Sequence, residues 1–198
     1  MRTGGGRWQH DAVLLTWPRY PTALADDLVG LRPWRAGDAA AVHRACQDPD
    51  IQRWTRVPVP YEREHADGFV GTVAEDAWRD RTGVLLAITD LTGEEVLGAV
   101  SLLGVDADEL VAEIGRWVAP WGRGRGTATR ATVLLVGWAF GDGGLDRLEL
   151  LADPDNVASC RVAEAAGFRR EGLLQAKVLH RGARRDMVLH ARVRALPG

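Results

Sequence analysis

Ala119-Pro120-Trp121-Gly122-Arg123-Gly124-Arg125-Gly126-Thr127-Ala128-Thr129-Arg130-Ala131 lies between a β-rich run and a strongly apolar helical run. Its glycines let the main chain turn with N–H groups pointing inward, and the N-terminus of the helix that follows adds partial positive charge. Such a cradle can hold a pyrophosphate without a metal. A glycine-arginine run of this kind also suits an RNA-binding tail or a plain turn. The glycine spacing does not meet the Rossmann pattern, and no acidic residue follows at the end of a second strand. A Walker loop is excluded because no Gly-Lys-Ser/Thr occurs and Lys177 is the only lysine.

On the C-terminal side, residues 127 to 141 carry Ala131, Val133, Leu134, Leu135, Val136, Trp138 and Phe140, a helix apolar on most sides and suited to packing on a sheet. A strand over 145 to 152, a helix over 156 to 166 and a hairpin of 168 to 180 with 184 to 193 follow. On the N-terminal side, strands are expected at 82 to 90 and 95 to 105, joined by Leu91-Thr92-Gly93-Glu94, and at 109 to 118. Asp38 reads as the cap of a helix to 47, and Tyr61 to Trp78 reads as a second helix on Ala66, Phe69, Val70, Val73 and Ala77. Asp48 to Pro60, with its prolines, reads as a loop. Residues 1 to 27 are expected to form an N-terminal extension with an extended arm at Trp17-Pro18 and Tyr20-Pro21, and residues 28 to 198 a single domain.

Two longer patterns give the cradle a context. Read as Arg123-x-x-Gly126-x-Ala128, it has the (Gln/Arg)-x-x-Gly-x-(Gly/Ala) form with which GNAT superfamily N-acetyltransferases hold the pyrophosphate of acetyl-CoA. Asp155-Asn156-Val157-Ala158-Ser159 through Gly167-Phe168-Arg169-Arg170-Glu171-Gly172 resembles the Asn-x-x-Ser…Gly-Phe-x-x-Glu-Gly signature of the Rim-type branch, the ribosomal-protein N-terminal acetyltransferases. Glu113-Ile114-Gly115 with Trp117, and Leu31-Arg32-Pro33-Trp34, add matches in the right order.

The resemblance implies an α/β (α+β) GNAT fold: a mixed, mostly antiparallel seven-stranded sheet splayed between its fourth and fifth strands and flanked by about four helices. It implies a bulge in the fourth strand, where Trp117, Val118 and Ala119 would pair with the pantetheine of CoA and polarise the thioester carbonyl. Arg123, Gly124, Arg125, Gly126, Thr127 and Ala128 would hold the pyrophosphate, with Asn156 and Ser159 completing the acetyl-CoA site. The implied reaction is direct attack of a neutral amine on the thioester. An α-amine, with a pKa of about 7.7 to 8.0, needs little help to lose its proton at neutral pH. Glu113 is the first candidate for a weak base and Glu149 the second, against the alternative that each pairs structurally with Arg116 or Arg147.

Many superfamily members place a thiolate-protonating tyrosine seven residues after the helix-starting asparagine, but here that position is Ala163. Rim-type relatives use the serine that corresponds to Ser159, whose alternative is a helix-terminus residue bonding only backbone. Cys160 reads as an inert thiol. Arg130 stands where the branch carries glutamate, either reaching a CoA phosphate or lying solvated. Arg53, Trp54 and Arg56 would wall the acceptor groove, with His43, His180 and Arg184 nearby; His180 and His190 read as ordinary strand residues.

Composition sets outer limits. A chain of 198 residues with 46% hydrophobic content can bury a full core, and a net charge of -2 offers no general attraction to nucleic acid or anionic lipid. Two cysteines make no disulfide framework, and no apolar N-terminal segment resembles a signal peptide or a membrane span. A cytoplasmic enzyme of bacterial type is expected, moving acetyl from acetyl-CoA to a peptide N-terminus or a small-molecule amine, with no metal, membrane or nucleic-acid partner and with homodimerisation left open. The alternative is a CoA-binding sensor or interaction module of the same fold, prompted by the missing tyrosine and by Arg130.

Overall fold

In the computed structural model, which describes residues 23–195, one mixed sheet organises the chain. In chain order it contains β1 (Leu24–Ala25), β2 (Gly30–Pro33), α1 (Ala39–Ala45), α2 (Pro49–Trp54), α3 (Arg63–Gly68), α4 (Ala74–Arg79), β3 (Gly83–Thr89) and β4 (Val96–Asp106). There follow β5 (Val111–Val118), α5 (Thr127–Phe140), β6 (Arg147–Ala152), α6 (Val157–Ala165), β7 (Arg169–His180) and β8 (Ala183–Val193). The eight strands lie in the order β1-β2-β3-β4-β5-β6-β8-β7. Only β5 and β6 run parallel, joined through α5.

Central β3 is buried at every position, which its run Val84-Leu85-Leu86-Ala87-Ile88 requires. The β3–β4 turn is held by Asp90, whose carboxylate accepts from the N–H groups of Glu94 and Glu95, both at 3.1 Å, and from Thr92 Oγ1 at 2.6 Å. Along β5 the side chains alternate. Ala112 and Ile114 join the larger core with Leu135, Val136 and Ala139 of α5 and Leu148 and Leu150 of β6. Trp117, one face over, packs against a second core built from Val42 of α1, Ile51 of α2, Tyr61 and Ala66 of α3.

The structure adjusts several expectations. The eighth strand is the two-residue β1, which begins ahead of residue 28 and is too short to show any alternation. It forms because Asp26 Oδ1 accepts from the N–H groups of Leu28 and Val29, each at 2.8 Å, turning the chain back onto β2. The arm expected at Trp17 to Pro21 lies outside the described residues. The stretch expected as a loop, Asp48 to Pro60, contains α2: Pro49 stands at its first turn and Asp48 Oδ1 accepts from Ile51 N at 3.0 Å. Residues taken as a break are thus a start signal. The expected helix from 61 to 78 is α3 and α4 joined by a wider π turn at Phe69–Val73.

The parting of β5 from β6 positions everything that follows. They pair only at Val111↔Arg147, Ala112↔Leu148 and Glu113↔Glu149, although β5 runs on to Val118 and β6 to Ala152. The bulge expected at Trp117 to Ala119 is absent there. Pairing of β5 with β4 is regular from Glu113↔Leu103 to Val118↔Gly98, and the irregularity falls between Leu103 and Asp106 instead. Gly98 permits that close pairing, since a Cβ on it would lie 2.4 Å from Trp117 O.

Candidate active site

A cavity of about 1380 Å³ runs through the gap. Trp117, Glu113 and Glu149 line it on one face of the sheet, Asn156 and Ser159 of α6 line it on the other, and Gly122 to Gly124 with Gly126 to Thr129 close one end, whereas Arg125, expected in the cradle, does not line it. The structure therefore brings together nearly every residue singled out from the sequence.

At the closed end, α5 begins with Gly126 in the left-handed region at φ 75°, and no side chain caps it. Thr127 Oγ1 donates back to Gly122 O at 2.7 Å instead of folding over the first turn. The first-turn N–H groups of a helix have no intrahelical acceptor, so this end is open to an anion. A Cβ on Gly126 or Gly124 would meet nothing closer than 4.0 Å, so the cradle has room along its surface. The guanidinium of Arg123 is committed elsewhere: it pairs with Asp48 Oδ1 at 2.6 Å and donates from Nε to Val118 O at 3.2 Å. That ties the cap of α2 to the loop, leaving main chain as the cradle's donors. It also occupies the Val118 carbonyl, one of the backbone groups expected to be free. Arg130 pairs with Asp26 at 2.8 Å and Asp27 at 2.6 Å, partly exposed, with its Nε 4.0 Å from where a Cβ on Gly126 would stand.

Across the gap, Glu113 and Glu149 project to the same face. Burial pushes the Glu113 carboxyl up; Arg56 opposes this, the Glu149 charge adds to it, and Lys177 opposes it again. Glu149 pairs with Arg147 at 2.8 Å, and Arg147 also binds Glu171 at 2.6 Å. The structural pairing considered for Glu149 is therefore present. Glu113 has no such pairing with Arg116, which is the next but two along β5 and turns to the other face.

Arg116 donates from Nη2 to Ser159 Oγ at 3.1 Å and to Ser159 O at 2.9 Å. Asn156 caps α6, its Oδ1 accepting from Ser159 N at 3.0 Å. Ser159 is thus held on the first turn of α6 with its side chain in the cavity lining. Burial raises the thiol pKa of Cys160. Sequence reasoning missed Arg116 as a site residue. The signal was strand alternation, which puts it on the apolar face shared by Ala112 and Ile114.

At the open end, Arg53, Trp54, Arg56 and His180 line the cavity, whereas His43 and Arg184 do not. The Arg53 guanidinium stacks 4.3 Å from the Trp54 ring centroid. Arg181 at the tip of the β7–β8 hairpin donates to Gln52 O at 2.7 Å, drawing the hairpin over α2. His180 Nε2 is buried without a hydrogen-bond partner among the described residues. His190 is 1% exposed in β8 with its pKa lowered by burial, as suits a neutral core residue. Among the described residues no cluster of acidic, His or Cys side chains is placed to hold a metal, and no helix is long and apolar enough to cross a membrane.

Known proteins share this fold. The structure of Mycobacterium smegmatis RimJ in complex with CoA-disulfide is 28% identical with a TM-score of 0.78, covering 89% of this chain and 90% of that one. Spermidine N-acetyltransferase from Vibrio cholerae, in complex with CoA and spermine, has a TM-score of 0.72 at 20% identity over 85% of this chain and 97% of that one. Spermidine N(1)-acetyltransferase of Escherichia coli (strain K12) is 26% identical over 161 residues, 81% of this chain and 83% of that protein. The family described as acetyltransferase (GNAT) domain matches residues 29–169. The chain is a member of the GNAT acetyltransferase family, an acyltransferase by descent and by fold.

Proposed function

We propose that the protein transfers the acetyl group of acetyl-CoA to a primary amine, a peptide N-terminus or a small-molecule amine, by direct attack within a ternary complex. The observation that carries this reading is the gap between β5 and β6, which has an uncapped helix N-terminus at one end and Glu113 and Ser159 on its opposite walls. The main chain from Gly124 to Ala128 holds the pyrophosphate, and the edge of β5 that β6 leaves unpaired beyond Glu113 holds the pantetheine; Ala119, expected to contribute there, has its N–H given to Leu97 O and its carbonyl taken by Gly122 N–H. The acceptor enters past Arg53, Trp54 and Arg56.

Glu113 takes a proton from the amine, directly or through water, as the C–N bond forms. The C–S bond breaks with its electron pair on sulfur, and Ser159 O–H donates a hydrogen bond to that sulfur while the thiolate leaves for water. Intact Glu113 and Ser159 favour turnover over a CoA-binding sensor. Thiol release from acetyl-CoA is the test, run across a panel of N-terminal peptides and small amines. Release with at least one acceptor is expected; tight acetyl-CoA binding with no release from any of them would establish the sensor instead.

A further inference from the structure

Arg116 is the one strand residue of the gap whose charge faces the apolar side of the sheet. Its neighbours on that face, Ala112 and Ile114, belong to the main core, yet no carboxylate lies within ion-pair distance among the described residues. Its hydrogen-bond partners among the described residues are two oxygens of one residue, Ser159. A buried cation without a counter-ion is costly, and interiors seldom hold one unless something completes it. The cavity that Arg116 lines is where negative charge would develop on departing sulfur.

The hydrogen-bond direction gives the second argument. A hydroxyl has one proton to give and two lone pairs to receive with. Because the guanidinium occupies a lone pair of Ser159 Oγ, the serine acts toward Arg116 as acceptor, and its own proton remains for another partner. The Ser159 N–H is given to Asn156 Oδ1, which fixes the backbone of the first turn of α6 that carries the hydroxyl.

We propose that Arg116 is a positioning residue for the leaving group: bonded to both oxygens of Ser159, it aims the serine O–H into the gap and supplies the positive charge that favours a thiolate there. This rests on the acetyltransferase reading. The balance is that of the transfer itself: C–N forms, C–S breaks, the amine proton goes to Glu113 and then to water, and Ser159 and Arg116 lose no proton. Burial draws the guanidinium down to about 10, so it stays charged at neutral pH. The other titratable groups sensed in this region are Cys160 and Glu164 of α6, Arg170 of β7 and His190 of β8. Glu164 is the one carboxylic acid among them, and it forms no ion pair with Arg116.

The test compares calorimetric binding of CoA with that of S-methyl-CoA, whose thioether cannot ionise, to the full-length protein at about pH 6 and pH 9. If the site favours the thiolate, CoA gains on S-methyl-CoA as pH rises, by about tenfold for each unit of thiol pKa depression. Arg116→Gln abolishes that gain and lowers kcat with little change in the KM for acetyl-CoA, while Arg116→Lys keeps part of both. A role limited to bracing α6 would lower stability without touching the CoA to S-methyl-CoA ratio. The proposal is overturned by a flat ratio in the wild-type protein, which needs no variant to fold, or by a gain that survives in folded Arg116→Gln. Absence of binding by either ligand, with no transfer, would instead bring down the acetyltransferase reading and this inference with it.

Discussion

Glu113 and Glu149 face each other as the last register pair of β5 and β6, and beyond them the strands part. In the proposed reaction this pair sets the pH behaviour of the site. A base must be ionised to act, and the Glu113 carboxyl is raised by burial, opposed by Arg56 and reinforced by the Glu149 charge. The acidic limb of kcat/KM is therefore expected above the ordinary carboxylate range. Glu149→Gln removes the like charge and should move that limb to lower pH; Arg56→Gln removes the opposite charge and should move it to higher pH. Glu113→Gln should cost most at about pH 6 to 7 and much less near pH 9, where an α-amine is already neutral. pH–rate profiles of the variants decide this, and equal loss at every pH would make Glu113 an orienting residue.

Ser159→Ala removes the hydroxyl but not the cap, since Asn156 Oδ1 bonds the Ser159 backbone. We expect kcat to fall by roughly 10- to 1,000-fold, the scale of one lost catalytic donor, with acetyl-CoA affinity little changed. Ala163 is fully buried, so a tyrosine there would have to displace core to reach the gap, and Ala163→Tyr should not rescue the loss. Steady-state kinetics with a good acceptor check both statements, and near-wild-type kcat in Ser159→Ala would reduce the serine to a helix-terminus residue.

Gly126 allows the cradle to be probed without crowding the protein itself. Its φ of 75° suits asparagine better than valine, and a Cβ there meets only Arg130 Nε at 4.0 Å. Gly126→Asn should therefore keep the fold while its side chain stands over the helix N-terminus, weakening acetyl-CoA by about tenfold or more, ~1.4 kcal/mol. Gly126→Val adds backbone strain and should also lower Tm. Calorimetry on folded Gly126→Asn showing wild-type affinity would remove the pyrophosphate from this loop.

Stability should respond to acid through Asp38. Burial alone would raise its carboxyl, but Arg32 at 2.7 and 2.9 Å and the Arg35 N–H at 2.8 Å outweigh it and hold the pKa below the ordinary 3.8. A carboxyl depressed in the folded state contributes stability above its unfolded pKa, and that contribution is lost as pH falls through the lower folded value. Asp38→Asn leaves Arg32 buried and unpaired, and should cost about 3 to 5 kcal/mol at neutral pH. Denaturant midpoints at neutral pH and below about pH 4 should differ for the wild type and converge toward the variant as acid is added.

The main elements were legible because their signals are local. Gly126 with the apolar run behind it marks α5, and Asn156 with Ser159 marks α6. Asp48-Pro49 is a local signal as well, a cap and a first-turn proline that start α2 where the prolines read as a loop. The rest of what the chain hid was non-local. Arg123 belongs by motif to the cradle, yet Asp48, 75 positions away, claims its guanidinium. Arg130 departs from the family pattern for a comparable reason, being claimed by Asp26 and Asp27 at the β1–β2 turn. No spacing rule discloses which acid, far along the chain, will capture an arginine.

The parting of β5 and β6 also divides the protein's heritable information in two. Under the proposed function, recognition on one side of the gap is assigned to peptide groups, which every amino acid carries, so substitutions there are filtered by backbone conformation more than by chemistry. On the other side it falls to Arg53, Trp54, Arg56 and the hairpin tip that Arg181 fastens to Gln52. A lineage built this way can exchange acceptors by redrawing a few surface side chains while its donor half stands unchanged.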